Sequence, residues 1–307
     1  TPTRVRGNAA PQTDASLAAP GSLSLVTPAG IAVGSTGRVQ TGGSFVGSTL
    51  DIADQEFQKA ARGEAYTLKG DSSATVRNAG RIGALGGDVA LIGRTVENTG
   101  DIDAPNGTAA LAAGTEVLVQ DRALDGGRFV VKAGGKDTSV RNSGNINAAE
   151  VELRANGGNV YALAGNRNGV IAATGTAKRG GRVFLTAGDA GTVEVTQRVS
   201  ARAPGSATRA RNGGEIRVSG RNVKVAATLD ARGRAPSVLP PARPSMLDGD
   251  GGVVIVTGEA VTLTETARVD VSGAKGGTAL VGGDFQGGKD AANNYVAEKV
   301  ATAKTLT

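Results

Sequence analysis

"VRNAGRIGALGGDVALIGRTVENTGDIDAP", residues 76–105, states one pattern twice. Val76, Asn78, Gly80, Ile82 and Ala84 return as Val96, Asn98, Gly100, Ile102 and Ala104, twenty residues later and in the same register. Apolar residues at alternate positions mark a strand with one buried face, and Asn-x-Gly marks the turn that ends it. A unit of about 20 residues cannot close a core alone, so it must stack on its neighbours. A third copy, from Val140 to Ala148 with Asn142 and Gly144 at its turn, begins 44 residues after the second. That gap accommodates two turns of about 22 residues, and the strand "EVLVQD", residues 116–121, is assigned to the intervening one.

A second motif interleaves with the first: a Gly pair, alternating apolar residues and a closing Gly. It reads "GGDVALIG" from Gly86, "GGRFVVKAG" from Gly126, "GGNVYALAG" from Gly157, "GGRVFLTAG" from Gly180, "GGEIRVSG" from Gly213, "GGVVIVTG" from Gly251 and "GGTALVGG" from Gly276, with "NGTAALAAG" from Asn106 as a variant. Leu91, Leu111 and Val131, in the copies from Gly86, Asn106 and Gly126, are spaced by twenty and twenty. The pattern predicts an all-β protein, a right-handed parallel β-helix with two or three strands in each coil of about 20 residues. The expected plan is an extended segment over 1–21, the β-helix over 22–283, and a tail or cap over 284–307, where residues 290–304 suit a capping helix. Roughly twelve coils at about 4.8 Å each would make a rod near 55 Å long. Residues 54–64, "DQEFQKAARGE", predict a short helix outside the repeat. Asn78, Asn98, Asn142, Gly80, Gly100 and Gly144 are read as structural corner residues: the amides stack in a ladder and the glycines take positive φ.

Composition narrows the chemistry. The 307 residues include 48 Gly but neither Cys nor His, so disulfides, thiolate chemistry and imidazole catalysis are excluded, and no cofactor or metal site is expected. No apolar run reaches the length of a membrane span, and the opening "TPTRVRGNAA" is not a signal peptide, so an exported protein would be present here in mature or trimmed form. The net charge is +6, yet residues 198–243 hold ten Lys or Arg against only Glu215 and Asp230.

Residues 27–54, "TPAGIAVGSTGRVQTGGSFVGSTLDIAD", together with "GGDVALIGRTVENTGDIDAPNGTAALAAG", "LDARG" and "VDVSGAKGGTALVGGDFQG", resemble the filamentous haemagglutinin-like exoproteins of two-partner secretion. The similarity spans most of residues 22–295. It implies a bacterial protein exported through a dedicated outer-membrane transporter and secreted or held at the cell surface as an adhesin or structural element. The family's Asn-Pro-Asn-Gly turn, read during secretion, stands here as Thr27, Pro28, Ala29 and Gly30, and the strands that precede it in the family are not recognisable in residues 1–21.

Candidate sites lie where the repeat is interrupted. Insertions at 200–212 and 231–250 each re-enter before a Gly-Gly strand, which places both at one corner. Arg202, Arg209, Arg211, Arg232, Arg234 and Arg243 form a candidate patch for sulfate, phosphate or carboxylate groups on host or environmental surface glycans or proteins; nucleic acid is not expected, because no stacking aromatics accompany them. Asp101 with Asp103 would share a strand face, a geometry open to acidic glycan chemistry, but are read as turn and surface; Asp248 with Asp250 in "LDGDGG" offer calcium two carboxylates without further ligands in sequence. Tyr66, Lys69 and Asp71 cluster without recognisable chemistry. A non-catalytic adhesin-like rod is the leading reading. The alternatives are a β-helix enzyme acting on acidic polysaccharide and a component of a larger extracellular assembly.

Overall fold

The computed structural model describes residues 2–4, 10–62, 64–119, 130–135, 137–164, 169–175, 180–203, 210–234, 249–283 and 305–307. Their strands form a parallel β-helix with three strands per coil. One column of inward side chains runs Leu17, Val39, Ile82, Ile102, Ile146, Ile171, Val199, Leu229 and Val269, each paired in register with the next. A second runs through Val76, Val96, Val140, Val160, Val193, Val223 and Val261. A third links Phe45, Val89, Ala109, Val151, Val183, Ile216 and Val254. Val, Ile, Leu and Ala fill the interior between them, nearly all without exposed surface.

The rod is shorter than the sequence spacing suggests. Its first column holds nine rungs among the described residues, about 40 Å at the usual strand spacing, instead of twelve. The difference is chain spent outside the coils. Val96 pairs directly with Val140, so the 44-residue gap contains no intervening turn of the helix. Phe45 and Val89, also 44 residues apart, are likewise adjacent. Each gap is one coil plus an excursion at the same corner.

Both excursions meet outside the rod in a four-stranded antiparallel sheet, ordered Val130–Gly134, Glu116–Val119, Tyr66–Lys69 and Asp51–Ile52. The strand "EVLV" and the Gly-pair strand from Gly126 therefore belong to this outer sheet and not to coils. Gly157's strand also differs from its relatives, because Asn159–Ala162 lies in the second column. The Gly-pair motif specifies a strand and leaves its column undetermined.

Why the outer sheet sits here is visible in "VALIG" and in the "AALAA" of "TAALAA", which carry no polar side chain. Val89 and Leu91 face the interior, while Ala90 and Ile92 face outwards and are just as buried. Ala110 and Ala112 repeat that arrangement one rung later, and Leu50, Ile52, Leu68, Val117 and Val119 close over them as a second core. A continuous apolar run in a strand calls for a cover on both sides. The helix Asp54–Ala61 rides on this layer through Phe57 and Ala60. It is tied down by Glu56, whose carboxylate accepts from Lys59 Nζ at 2.6 Å and from the Thr67 amide at 2.7 Å.

The start of the rod also precedes residue 22. Gln12–Thr13 and Ser16–Ala19 already pair in parallel with Ile31–Val33 and Arg38–Thr41, and Pro2–Arg4 pairs with Leu23–Val26. These strands are too short and polar to stand out as sequence, and Leu17 is the side chain that anchors them to the core. At the other end Thr305–Leu306 adds in parallel to Ala260–Val261, extending the second column. The proposed capping helix at 290–304 lies outside the described residues.

At the turn between the second and first columns, Asn78 Nδ2 donates to Asn98 Oδ1 at 2.7 Å and Asn98 Nδ2 to Asn142 Oδ1 at 2.6 Å. All three side chains are fully buried. The ladder continues past the repeat: Asn142 Nδ2 donates to Gln197 Oε1 at 2.7 Å, and Gln197 Nε2 donates back to the Gly144 carbonyl at 2.7 Å. Ala162 occupies the Asn position of the rung between them, and its small side chain leaves room for Gln197 to reach across. The accompanying glycines answer to close approach, not to backbone sign. Gly80, Gly100 and Gly144 do not adopt positive φ, but a Cβ at Gly100 would lie 2.0 Å from the Gly80 carbonyl oxygen and one at Gly144 1.9 Å from that of Gly100.

Asn98→Ala removes two buried rung-to-rung bonds and orphans a donor and an acceptor, so denaturant titration should show a loss of about 3 kcal/mol. Arg77→Ala on the exposed side of the same column should stay within about 0.5 kcal/mol. Leu68→Ala, at the centre of the outer core, should cost about 3 kcal/mol. Hydrogen exchange should then accelerate at Val117 and Tyr66 while Leu111 keeps its protection.

Candidate functional site

The two insertions leave and re-enter the rod at one corner. Their roots are joined by backbone: the Arg211 amide donates to the Arg234 carbonyl at 3.0 Å and the Arg234 amide to the Arg211 carbonyl at 2.8 Å. Gly249, closing the second insertion, donates to the Arg234 carbonyl at 3.2 Å, and Ala274 on the next rung donates to the Gly249 carbonyl. The stacking rule thus fixes where both loops emerge, whatever their length.

Beside these roots lies Asp230. Leu229 and Ala231 point into the core, so alternation turns Asp230 outwards, yet it has no exposed surface. Guanidinium groups cover it. Arg232 donates Nε to Oδ1 at 2.9 Å and Nη2 to Oδ2 at 3.0 Å, Arg198 donates Nη2 to Oδ2 at 2.7 Å, and Arg202 Nη1 reaches Oδ2 at 3.5 Å. Arg232 also spans to Asp270 at 3.3 Å, the equivalent residue on the following rung. Burial alone would raise the Asp230 carboxyl, but hydrogen bonds from Arg232 and Arg198, the Arg232 amide and the Arg202 charge together hold it below the ordinary carboxylate range. The same bonds raise Arg232.

Of the six predicted arginines, Arg202 and Arg232 converge on this carboxylate, Arg211 and Arg234 pair through backbone at the loop roots, and Arg209 and Arg243 lie outside the described residues. Sequence reasoning missed Arg198, Asp230 and Asp270 as members of the cluster. The signal is in the sequence: "LDARG" and "VDVSG" place an Asp at the same register one rung apart, although composition shows Asp230 only as one of two acids in a basic window.

The other candidates resolve into surface bonding. Asp101 accepts from Arg81 at 3.3 Å and from Asn145 Nδ2 at 3.0 Å, and Asp103 accepts from Asn147 at 2.9 Å, all between neighbouring rungs. Asp250 Oδ1 accepts from the Lys275 amide at 3.2 Å, while Asp248 lies outside the described residues. Lys69 pairs with Glu116 at 3.6 Å across the outer sheet, and Tyr66 packs on the outer core. Among the described residues no group of carboxylates is arranged to hold a metal ion, and no helix is long and apolar enough to cross a membrane.

The Thr27 turn keeps its geometry without asparagine. The Thr27 hydroxyl accepts from the Ala29 amide at 3.3 Å, the side-chain-to-backbone bond that an Asn makes at the first position of such a turn. Thr27 itself is fully buried, and its amide is held by the Ser48 carbonyl at 2.9 Å. Gly30 sits at φ 113°, which disfavours any side chain, and Ser72 Oγ fastens the Pro28 carbonyl at 2.6 Å.

Because the folded Asp230 lies below its unfolded pKa, its contribution is present above the ordinary carboxylate pKa of about 4 and is lost as pH falls through the lower folded value. Asp230→Asn should cost about 3 kcal/mol at pH 7, since three guanidiniums lose their shared counter-charge. It should also flatten the acid limb of a Tm-versus-pH curve below about pH 4 relative to the parent.

No curated protein matches the chain in sequence. In structure it is similar to the HMW1 secretion domain from Haemophilus influenzae, with 20% identity, 93% of this chain and 81% of that one covered, and a TM-score of 0.58. At that identity the likeness speaks for the fold. The sequence match is more specific, for residues 2–218 fit the family described as the TPS secretion domain. The chain therefore belongs to the TPS secretion domain family, the part of a two-partner exoprotein that interacts with an outer-membrane transporter as the protein is secreted.

Proposed function

We propose that this protein is a non-catalytic, adhesin-like exoprotein of the filamentous haemagglutinin type, displayed at the bacterial surface, whose rod presents the two insertions to acidic glycans. The observation that carries the reading is the meeting of both loop roots at Arg211 and Arg234 beside a cluster in which arginines outnumber carboxylates. Insertions stacked on one face of a solenoid are the usual place for its binding surface. The second insertion and Asp230 also lie beyond residue 218, past the family match, in chain that is free to differ from other secretion domains.

The polysaccharide-cleaving alternative draws less support. Asp101 and Asp103, the pair that sequence offered for it, are each bonded to Asn side chains on the next rung. Assembly with other extracellular chains rests on no comparable cluster. Binding of the purified protein to a panel of sulfated, uronate-bearing and neutral glycans tests the reading directly. Acidic glycans should be retained, and replacing residues 204–209 and 236–248 by short Gly-Ser links should weaken them at least tenfold. Equal retention by the shortened protein would overturn it, and release of shortened oligosaccharides would favour the enzyme.

A further inference from the structure

Arg202 is the cation of the insertion corner whose donors are least satisfied. Asp230 Oδ2 already accepts from Arg198 at 2.7 Å and Arg232 at 3.0 Å, so Arg202 Nη1 approaches only to 3.5 Å. Arg202 Nε is buried and has no hydrogen-bond partner. A buried charged donor without an acceptor carries its full desolvation cost and calls for a partner. The side chain as a whole keeps 22% of its surface open.

The geometry of the guanidinium says what the partner is. Nη1 is the atom turned to Asp230, which leaves the opposite edge, Nε with Nη2, as two parallel N–H donors in one plane. That edge matches the paired oxygens of a carboxylate or a sulfate ester. The local charge agrees: Arg198, Arg202 and Arg232 converge on Asp230, and Arg232 also reaches Asp270. Burial, and after the opposing pull of Asp230 the charges of Arg232, Arg234 and Arg198, depress the Arg202 pKa. A bound anion would reverse that balance.

We propose that the Nε–Nη2 edge of Arg202 is an oxyanion-binding site for the sulfate or carboxylate groups of acidic glycans, with Asp230 holding the guanidinium in place. The site deepens the adhesin reading and rests on it for the source of the anion. Asp230 acts here as a positioning residue, and the backbone bridge between Arg211 and Arg234 sets the site at the mouth of both insertions.

The test uses the full chain, inorganic sulfate against chloride at equal ionic strength, and separately a sulfated and a neutral oligosaccharide. Sulfate at about ten times its dissociation constant should raise Tm by about 2 °C. Arg202→Lys keeps the charge next to Asp230 but removes the planar edge, and it should weaken sulfate at least fivefold, with Arg202→Gln weaker still. Arg38→Gln, on an early rung, should match the parent and controls for general charge. Unchanged sulfate affinity in both Arg202 variants would overturn the site. Glycan binding that survives in Arg202→Lys overturns the site and leaves the adhesin reading intact. Sulfate binding lost in Arg202→Lys, with no oligosaccharide bound by the parent, upholds the oxyanion site and removes the adhesin reading.

Discussion

Every feature of this rod depends on parallel, in-register pairing between consecutive rungs. Such pairing places each residue directly over its counterpart one coil earlier, about 4.8 Å away, so a side chain is selected as much by the rung beneath it as by its neighbours in sequence. Inside, the rule is satisfied by branched aliphatic residues that stack on themselves. Outside, it favours opposite charges over one another, and stacks like charges such as Asp230 and Asp270 where a guanidinium bridges them. The outward file Arg77, Glu97, Arg141 and Tyr161 alternates accordingly, and Arg141 lies 4.9 Å from the centre of the Tyr161 ring. Further along the same file, Lys224 covers Glu194 at 3.1 Å. At the corners the rule brings backbone so close that only glycine fits, and it allows one amide to satisfy the next through the buried Asn ladder.

The third column shows what the same constraint does when the outer face changes character. Over the early rungs its outward positions are Val46, Ala90, Ile92, Ala110 and Ala112, and they are roofed by the antiparallel sheet. Over the next three rungs charged residues enter those positions: Glu150 pairs with Arg182, Glu152 with Arg154 and Glu215 with Arg217. Phe184 lies between the Arg154 and Arg182 guanidiniums, 5.9 and 5.7 Å from its ring centre. The register pairs Ala110 with Glu152 directly. One rung therefore separates a face closed by hydrophobic burial from one closed by ion pairs, and the boundary falls where the excursions that build the roof come to an end.

This division explains how much the sequence disclosed. The columns were legible because Val-x-Asn-x-Gly-x-Ile-x-Ala repeats in register, and Asn78, Asn98 and Asn142 pointed to their own corner. Gln197 was not, because it continues the ladder from outside the motif and reaches over Ala162. The outer sheet is hidden in the sequence because "EVLV" and "FVVKAG" resemble coil strands; alternation reports one buried face and is silent on which body buries it. The doubly apolar "VALIG" and "TAALAA" were the countersign, for a coil strand facing water needs polar residues at alternate positions. The early strands were missed for the opposite reason. Two to four residues around Leu17 carry too little pattern to register, although stacking holds them firmly.

Function in such a rod gathers where stacking ceases to dictate side chains. Lengthening a loop at a fixed corner costs entropy only as the logarithm of its length, so insertions of very different size can emerge between rungs whose pairing is untouched. Val199, Leu229 and Val269 remain in strict register although the chain between them is lengthened after Ala201 and after Asp230. Once the loops have left the lattice, the residues at their roots are still bound by it, which is why Asp230 and Asp270 recur one rung apart and can organise arginines that belong to different coils. An anchored carboxylate that orients guanidiniums is a means of turning a repetitive scaffold into a specific site without breaking the repeat. The arginines take their positions from the rod, and the loops are left free to vary around them.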